Sequence, residues 1–135
     1  MKNNIPKMFR FGNIANSIYL GVGALFFVLG LILGIVGIVT ENNALASSGW
    51  DMFGWGFYLA LSAILCLIIV VGKQEKEALN PDNKSLAPFI VSGVFGIISS
   101  NPFYVIAAVF GIIVVSKENN AAEKEEPKQI EEPKE

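Results

Sequence analysis

The chain has 135 residues, 53% of them hydrophobic and only 16% charged, with a mean hydropathy of +0.52 and a formal net charge of −2. That length suits one domain, and the balance excludes an ordinary water-soluble globule, in which about a quarter of residues are charged. With no histidine and a single cysteine, Cys66, the chain has the makings of neither a disulfide framework nor a cysteine/histidine metal site; no cofactor, metal ligand or catalytic residue is predicted.

In chain order, the first ten residues carry Lys2, Lys7 and Arg10 with no acid, a basic flank. Asn4-Ile5-Pro6 reads as a helix start with proline in the first turn. The run from about residue 18 to 39 then offers 22 residues without a charge, about 33 Å of helix, enough to cross a hydrocarbon core of about 30 Å. On that helix Gly23, Gly30, Gly34 and Gly37 fall within roughly 60° of one another, opposite Leu25, Val28, Ile32, Val36 and Val39. One face is a groove and the other is apolar. Ala44-Leu45-Ala46 before Ser47 imitates a signal-peptide cleavage site, but the apolar run is longer than a signal core of about 7–15 residues, so it reads as a retained span.

Residues 40–49 form a polar connection without lysine or arginine. Trp50, Trp55 and Tyr58, with Phe53 and Phe57 beside them, mark an aromatic belt of the kind found at headgroup level, and Asp51 is placed to cap a helix N-terminus. A second span is expected at about 53–71, with Gly56, Ala60 and Ala63 on one face at the small-xxx-small spacing that lets helices approach closely. Ser62 and Cys66 occupy a neighbouring stripe, suited to weak hydrogen bonds between helices. The loop at 73–84 holds Lys73, Lys76 and Lys84, and Asn80-Pro81-Asp82-Asn83 has turn chemistry.

The third and fourth apolar runs are shorter, about 86–99 and 103–116, joined by Ser99-Ser100-Asn101-Pro102. Two geometries fit: a pair of short spans that thin the bilayer locally, or a re-entrant hairpin that turns back partway. Exposed backbone at a hairpin tip is costly in lipid unless other helices bury it, which favours two spans. Ser92 and Gly96 on the third run, and Ala107 and Gly111 on the fourth, continue the small-residue faces. Val-Phe-Gly-Ile-Ile occurs at 94–98 and again at 109–113, a coincidence expected of runs drawn from so few residue types. Residues 117–135 are rich in glutamate, lysine and proline with Ile130 as their one sizeable apolar side chain, and read as a disordered charged tail.

All ten lysines and arginines fall on one side if both termini and the 73–84 loop are cytoplasmic. The predicted fold is therefore all-α: an integral membrane four-helix bundle over residues 1–116, with antiparallel neighbours, short third and fourth helices, and a disordered tail. Glu41 and Asp51 lie at the outer edge, and the apolar runs contain no acid or base to serve a proton relay or to activate Ser62 or Ser92, so an enzyme is not expected. The expected partners are the lipid bilayer and a membrane protein or a second copy; nucleic acid is not among them, because the basic residues are accounted for by topology.

The glycine-rich first run, the tryptophan-bearing outer connection, the lysine-containing loop, and the closing pair Ala87-Pro-Phe-Ile-Val-Ser-Gly-Val-Phe-Gly-Ile-Ile98 and Tyr104-Val-Ile-Ala-Ala-Val-Phe-Gly-Ile-Ile-Val114 resemble the small four-span membrane proteins of unknown function found in Gram-positive bacteria. The resemblance covers roughly residues 14–117, implies a bacterial cytoplasmic membrane, and brings no catalytic or binding residues. Two roles remain open. One is a non-enzymatic helix-packing or interaction protein of the cell envelope. The other is an oligomeric pore or small transport subunit, with immunity to a membrane-active peptide as a lesser possibility.

Overall fold

A short 3₁₀ turn at Lys2–Asn4 leads into α1, Ile5–Val39, which runs for 35 residues, about 52 Å. Pro6 sits in its first turn, where a missing N–H leaves no hydrogen bond unmade. The computed structural model describes residues 1–131, and side chains as far as residue 125; every regular element among the described residues is helical. α2, Asn43–Ala78, turns back along α1. It is α-helical to Cys66, widens into a π-helical stretch at Leu67–Gln74 and closes in one α turn at Glu75–Ala78. α3, Ala87–Ile98, and α4, Pro102–Glu131, complete the chain. α1, α2 and α4 are long and apolar enough to cross a membrane, whereas α3, at 12 residues, reaches about 18 Å.

Two expectations need correction. The polar connection expected at 40–49 is only three residues long, because Asn42, in extended backbone, accepts a hydrogen bond from the Leu45 N–H and starts α2 there. Asp51, read as a cap, lies exposed inside the helix. The second correction concerns residues 117–131, read as disordered: they continue α4 as helix, so the fourth helix is long where a short one was expected. Extending an existing helix needs no new nucleus, and Lys117, Glu118, Ala121, Ala122, Glu123 and Lys124 are good helix formers. The segment is also tethered, since Glu118 pairs with Lys2 and the Asn119 amide donates to the Lys84 carbonyl. Residues 132–135 of the expected tail lie outside the described residues.

Both helical hairpins close with the same device. After α1, Glu41 adopts left-handed backbone (φ 54°), and the N–H groups of Glu41 and Asn42 return to the carbonyls of Ile38 and Gly37. After α3, Ser100 does the same (φ 55°), with Ser100 and Asn101 returning to Ile97 and Gly96. Each is a Schellman ending in which a residue other than glycine carries the strained position.

The core lies in the half of the molecule nearest the N-terminus, where Phe9, Cys66, Val70, Phe89, Tyr104, Ala107 and Val115 are buried together. α3 and α4 interlock there through their small residues. A Cβ at Gly111 would collide with the Phe89 ring, and one at Gly96 would press on Tyr104 and Val105. Each Val-Phe-Gly-Ile-Ile copy thus uses its glycine to receive a side chain of the opposite helix, Tyr104 and Val105 at Gly96 and Phe89 at Gly111.

Candidate functional site: a glycine seam and a polar joint

α1 and α2 meet along two stripes of small residues repeating every seven positions: Gly23, Gly30 and Gly37 on α1, and Gly49, Gly56 and Ala63 on α2, all buried. Seven is the repeat that keeps a seam in register along a left-handed helix pair. Backbone lies on backbone. A Cβ on Gly30 would fall on the main chain of Phe53 and Gly49, one on Gly56 on the main chain of Phe27 and Gly23, and one on Gly37 on the main chain of Ala46. At Gly23 it would come within 2.6 Å of the Ala60 nitrogen. Ala60 itself is half-buried on this seam. Gly34 is covered differently, by the Trp50 indole, whose Cε2 would lie 3.0 Å from an added Cβ. By contrast Gly21 and Gly54 face open space. Such contact recovers dispersion energy where water expulsion contributes nothing.

The groove of Gly23, Gly30, Gly34 and Gly37 is thus filled by the chain's own α2. Gly49 lies in what reads in sequence as the polar connection, although its place seven residues before Gly56 is the signal that reveals it. Ser92 is buried but bonds the Pro88 carbonyl within its own helix, at 2.7 Å, and Ala107 is buried in the core. Trp50, Trp55 and Tyr58 are exposed on α2, with Trp55 and Tyr58 edge to face. The Tyr58 hydroxyl, however, donates to the Ile98 carbonyl at the end of α3.

Continuing the seven-residue stripe toward the N-terminus reaches Asn16 and Phe9, both fully buried. Here the seam becomes a polar joint. Asn16 donates to the Ala63 carbonyl at 3.0 Å, and Asn101, from the α3–α4 turn, donates to the Gly12 carbonyl at 2.8 Å. The Tyr104 hydroxyl donates to Asn13 Oδ1 at 2.7 Å, and Asn13 Nδ2 donates to Glu75 Oε2 at 2.9 Å, a chain from the core to the half-exposed carboxylate. The Tyr104 ring lies so close to Gly12 that a Cβ there would come within 2.5 Å of it. Cys66 reaches the Phe95 carbonyl with its thiol at 3.9 Å, and the Ser99 hydroxyl donates to the same carbonyl at 2.7 Å. Asn16 Oδ1 and Asn101 Oδ1 have no partner among the described residues, so the joint retains two buried acceptors able to take a hydrogen-bond donor.

Asn16 and Asn101 do not stand out in the sequence, because a span that begins at about residue 18 leaves the first outside it. The second passed as a turn residue. An asparagine at the next position of the Gly23, Gly30, Gly37 series was the available sign.

Two recesses flank these features. A cleft of about 370 Å³ opens at the base beside Lys2, Ile5, Leu79, Phe89, Val115 and Glu118. A shallow shelf of about 540 Å³ lies above the α3–α4 turn, between Ser100 and Trp50, Trp55 and Tyr58 of α2. Among the described residues no group of three or more cysteine, aspartate or glutamate side chains is placed to hold a metal ion. Comparison with family models, curated proteins and solved structures returns no match to the chain.

Proposed function

We propose that this chain is a non-enzymatic integral protein of the bacterial cytoplasmic membrane, a compact helix-packing unit of the cell envelope resembling the small four-span proteins of Gram-positive bacteria. Both termini and the loop after α2 face the cytoplasm. The observation that carries the reading is the glycine seam. It joins two long helices backbone to backbone while their outer faces expose Leu25, Val28 and Ile32 on α1 and Phe57, Leu61 and Ile64 on α2. In water such faces would drive aggregation; in lipid they are solvated, and the seam supplies the association that hydrophobic burial cannot.

Cation placement supports the orientation, since Lys7 and Arg10 on α1, Lys73 and Lys76 on α2, Lys84 before α3 and Lys117 on α4 all gather at one end of the molecule, and the α1–α2 turn carries none. Replacing Gly30 with leucine tests the role of the seam. Gly30→Leu is expected to abolish recovery of folded protein from membranes while Gly21→Leu, on the open side of the same helix, leaves it within about twofold of wild type. Equal loss from both variants contradicts the reading.

A further inference from the structure

We propose that α3 and α4 form a re-entrant hairpin that enters the bilayer from the cytoplasmic side and turns back at Ser99–Asn101 within its inner half, so that only α1 and α2 cross completely. This rests on the membrane reading above and concerns the depth at which the turn sits.

Register along α1 supplies the argument. The seam sets Gly23 against Ala60, Gly30 against Phe53 and Gly37 against Ala46, so Trp50 and Asp51 of the outer belt lie level with about Leu33. Arg10 marks the inner boundary on the same helix. These positions are 23 residues apart, about 34 Å, close to one hydrocarbon thickness. The α3–α4 turn is pinned to α1 far below the upper mark: Asn101 donates to the Gly12 carbonyl, and the Tyr19 hydroxyl donates to the Ser100 carbonyl at 3.1 Å. From Tyr19 to Leu33 is a further 14 residues, about 21 Å. A full crossing would require the bilayer to thin by more than half around two helices while spanning normally beside the other two.

The hairpin is not a cytosolic cap either. Its outer face is apolar from base to tip, with Ile90, Val94, Ile97, Ile106 and Val109 exposed and Ile97 70% accessible. What normally forbids a turn in lipid is unsatisfied backbone, and on the carbonyl side of this turn that objection is met. The Ile97 and Gly96 carbonyls receive the Schellman N–H groups, Ile98 receives Tyr58, Ser100 receives Tyr19, and Phe95 receives Ser99. Two tyrosines from the crossing pair thus cover carbonyls that water would otherwise have to reach. The shelf between Ser100 and Trp50 is the space left because the hairpin stops short.

Single cysteines at Ser48, Lys76 and Ser100, with buried Cys66 kept as the unreactive internal control, decide the matter when intact cells are treated with a membrane-impermeant maleimide. The proposal expects Ser48→Cys to label from outside, Lys76→Cys only after permeabilisation, and Ser100→Cys under neither condition but fully after denaturation in SDS. Labelling of Ser100→Cys from outside, at the rate of Ser48→Cys, means two complete spans and overturns it. Labelling of Ser100→Cys on permeabilisation, at the rate of Lys76→Cys, places the hairpin on the cytoplasmic surface and overturns it equally. If Ser48→Cys and Lys76→Cys behave alike, the membrane topology itself fails, an outcome separate from the depth of the hairpin.

Discussion

The two hairpins of this protein close with three-residue turns that each run from a hydroxyl residue to an asparagine, Thr40-Glu41-Asn42 and Ser99-Ser100-Asn101, with the middle residue left-handed in both, and then put their asparagines to opposite uses. Asn42 turns inward on its own helix and caps the Leu45 N–H at an exposed tip. Asn101, fully buried, gives its amide to another helix, the Gly12 carbonyl of α1. Local chemistry makes the turn; tertiary position decides what the turn does. The first ends a free-standing pair held by backbone contact, and the second is a peg that fixes the shorter hairpin to the longer one.

That contrast can be broken in order of expected effect. A side chain forced into the seam should be worst, because backbone cannot rotate out of the way. Gly56→Leu should cost more than about 3 kcal/mol, seen as a lower unfolding midpoint in detergent or as loss of the folded species, whereas Gly54→Leu, one turn face away and open, should change it by less than about 0.5 kcal/mol. The peg comes next. Asn101→Leu removes the partner of a buried carbonyl and should cost about 1–3 kcal/mol. Asn42→Leu, at the exposed turn, should cost about 1 kcal/mol, the ordinary value of a cap. If the two asparagine variants are equally mild, the second turn is not a peg.

Tyr19→Phe should cost about 1 kcal/mol and leave the α1–α2 seam intact, since it uncovers only the Ser100 carbonyl. The smallest effects should be favourable. Glu41→Gly and Ser100→Gly each relieve a left-handed residue and should raise stability by about 1 kcal/mol or less; a loss at either position would show that its side chain has a role beyond the turn.

Hydropathy and charge make the helical class and the two long apolar helices α1 and α2 legible, because they depend on composition over many residues. The small residues at 23, 30, 34, 37, 56, 60 and 63 were legible as a packing face for the same reason, being periodic. Gly49 and Asn16 are not, although both continue that period, because the membrane spans are read from where hydropathy rises, at about 53 and 18, whereas the helices begin well before them, at Asn43 and Ile5. The length of α4 was hidden likewise: a charged segment reads as disordered in isolation but extends a helix already nucleated by its apolar half. Where the α3–α4 turn binds depends on tyrosines at positions 19 and 58, of which Tyr58 reads in sequence as an interfacial anchor. No local pattern distinguishes those uses.

The two turns also provide the most direct test of the account, since it places one beyond the membrane and the other within it. Nitroxide labels at Glu41→Cys and Ser100→Cys in lipid vesicles can be compared by their collision rates with oxygen, which concentrates in lipid, and with a water-soluble nickel chelate. The account predicts a chelate-accessible label at Glu41 and an oxygen-accessible, chelate-protected label at Ser100. Equal chelate access at the two turns would contradict it.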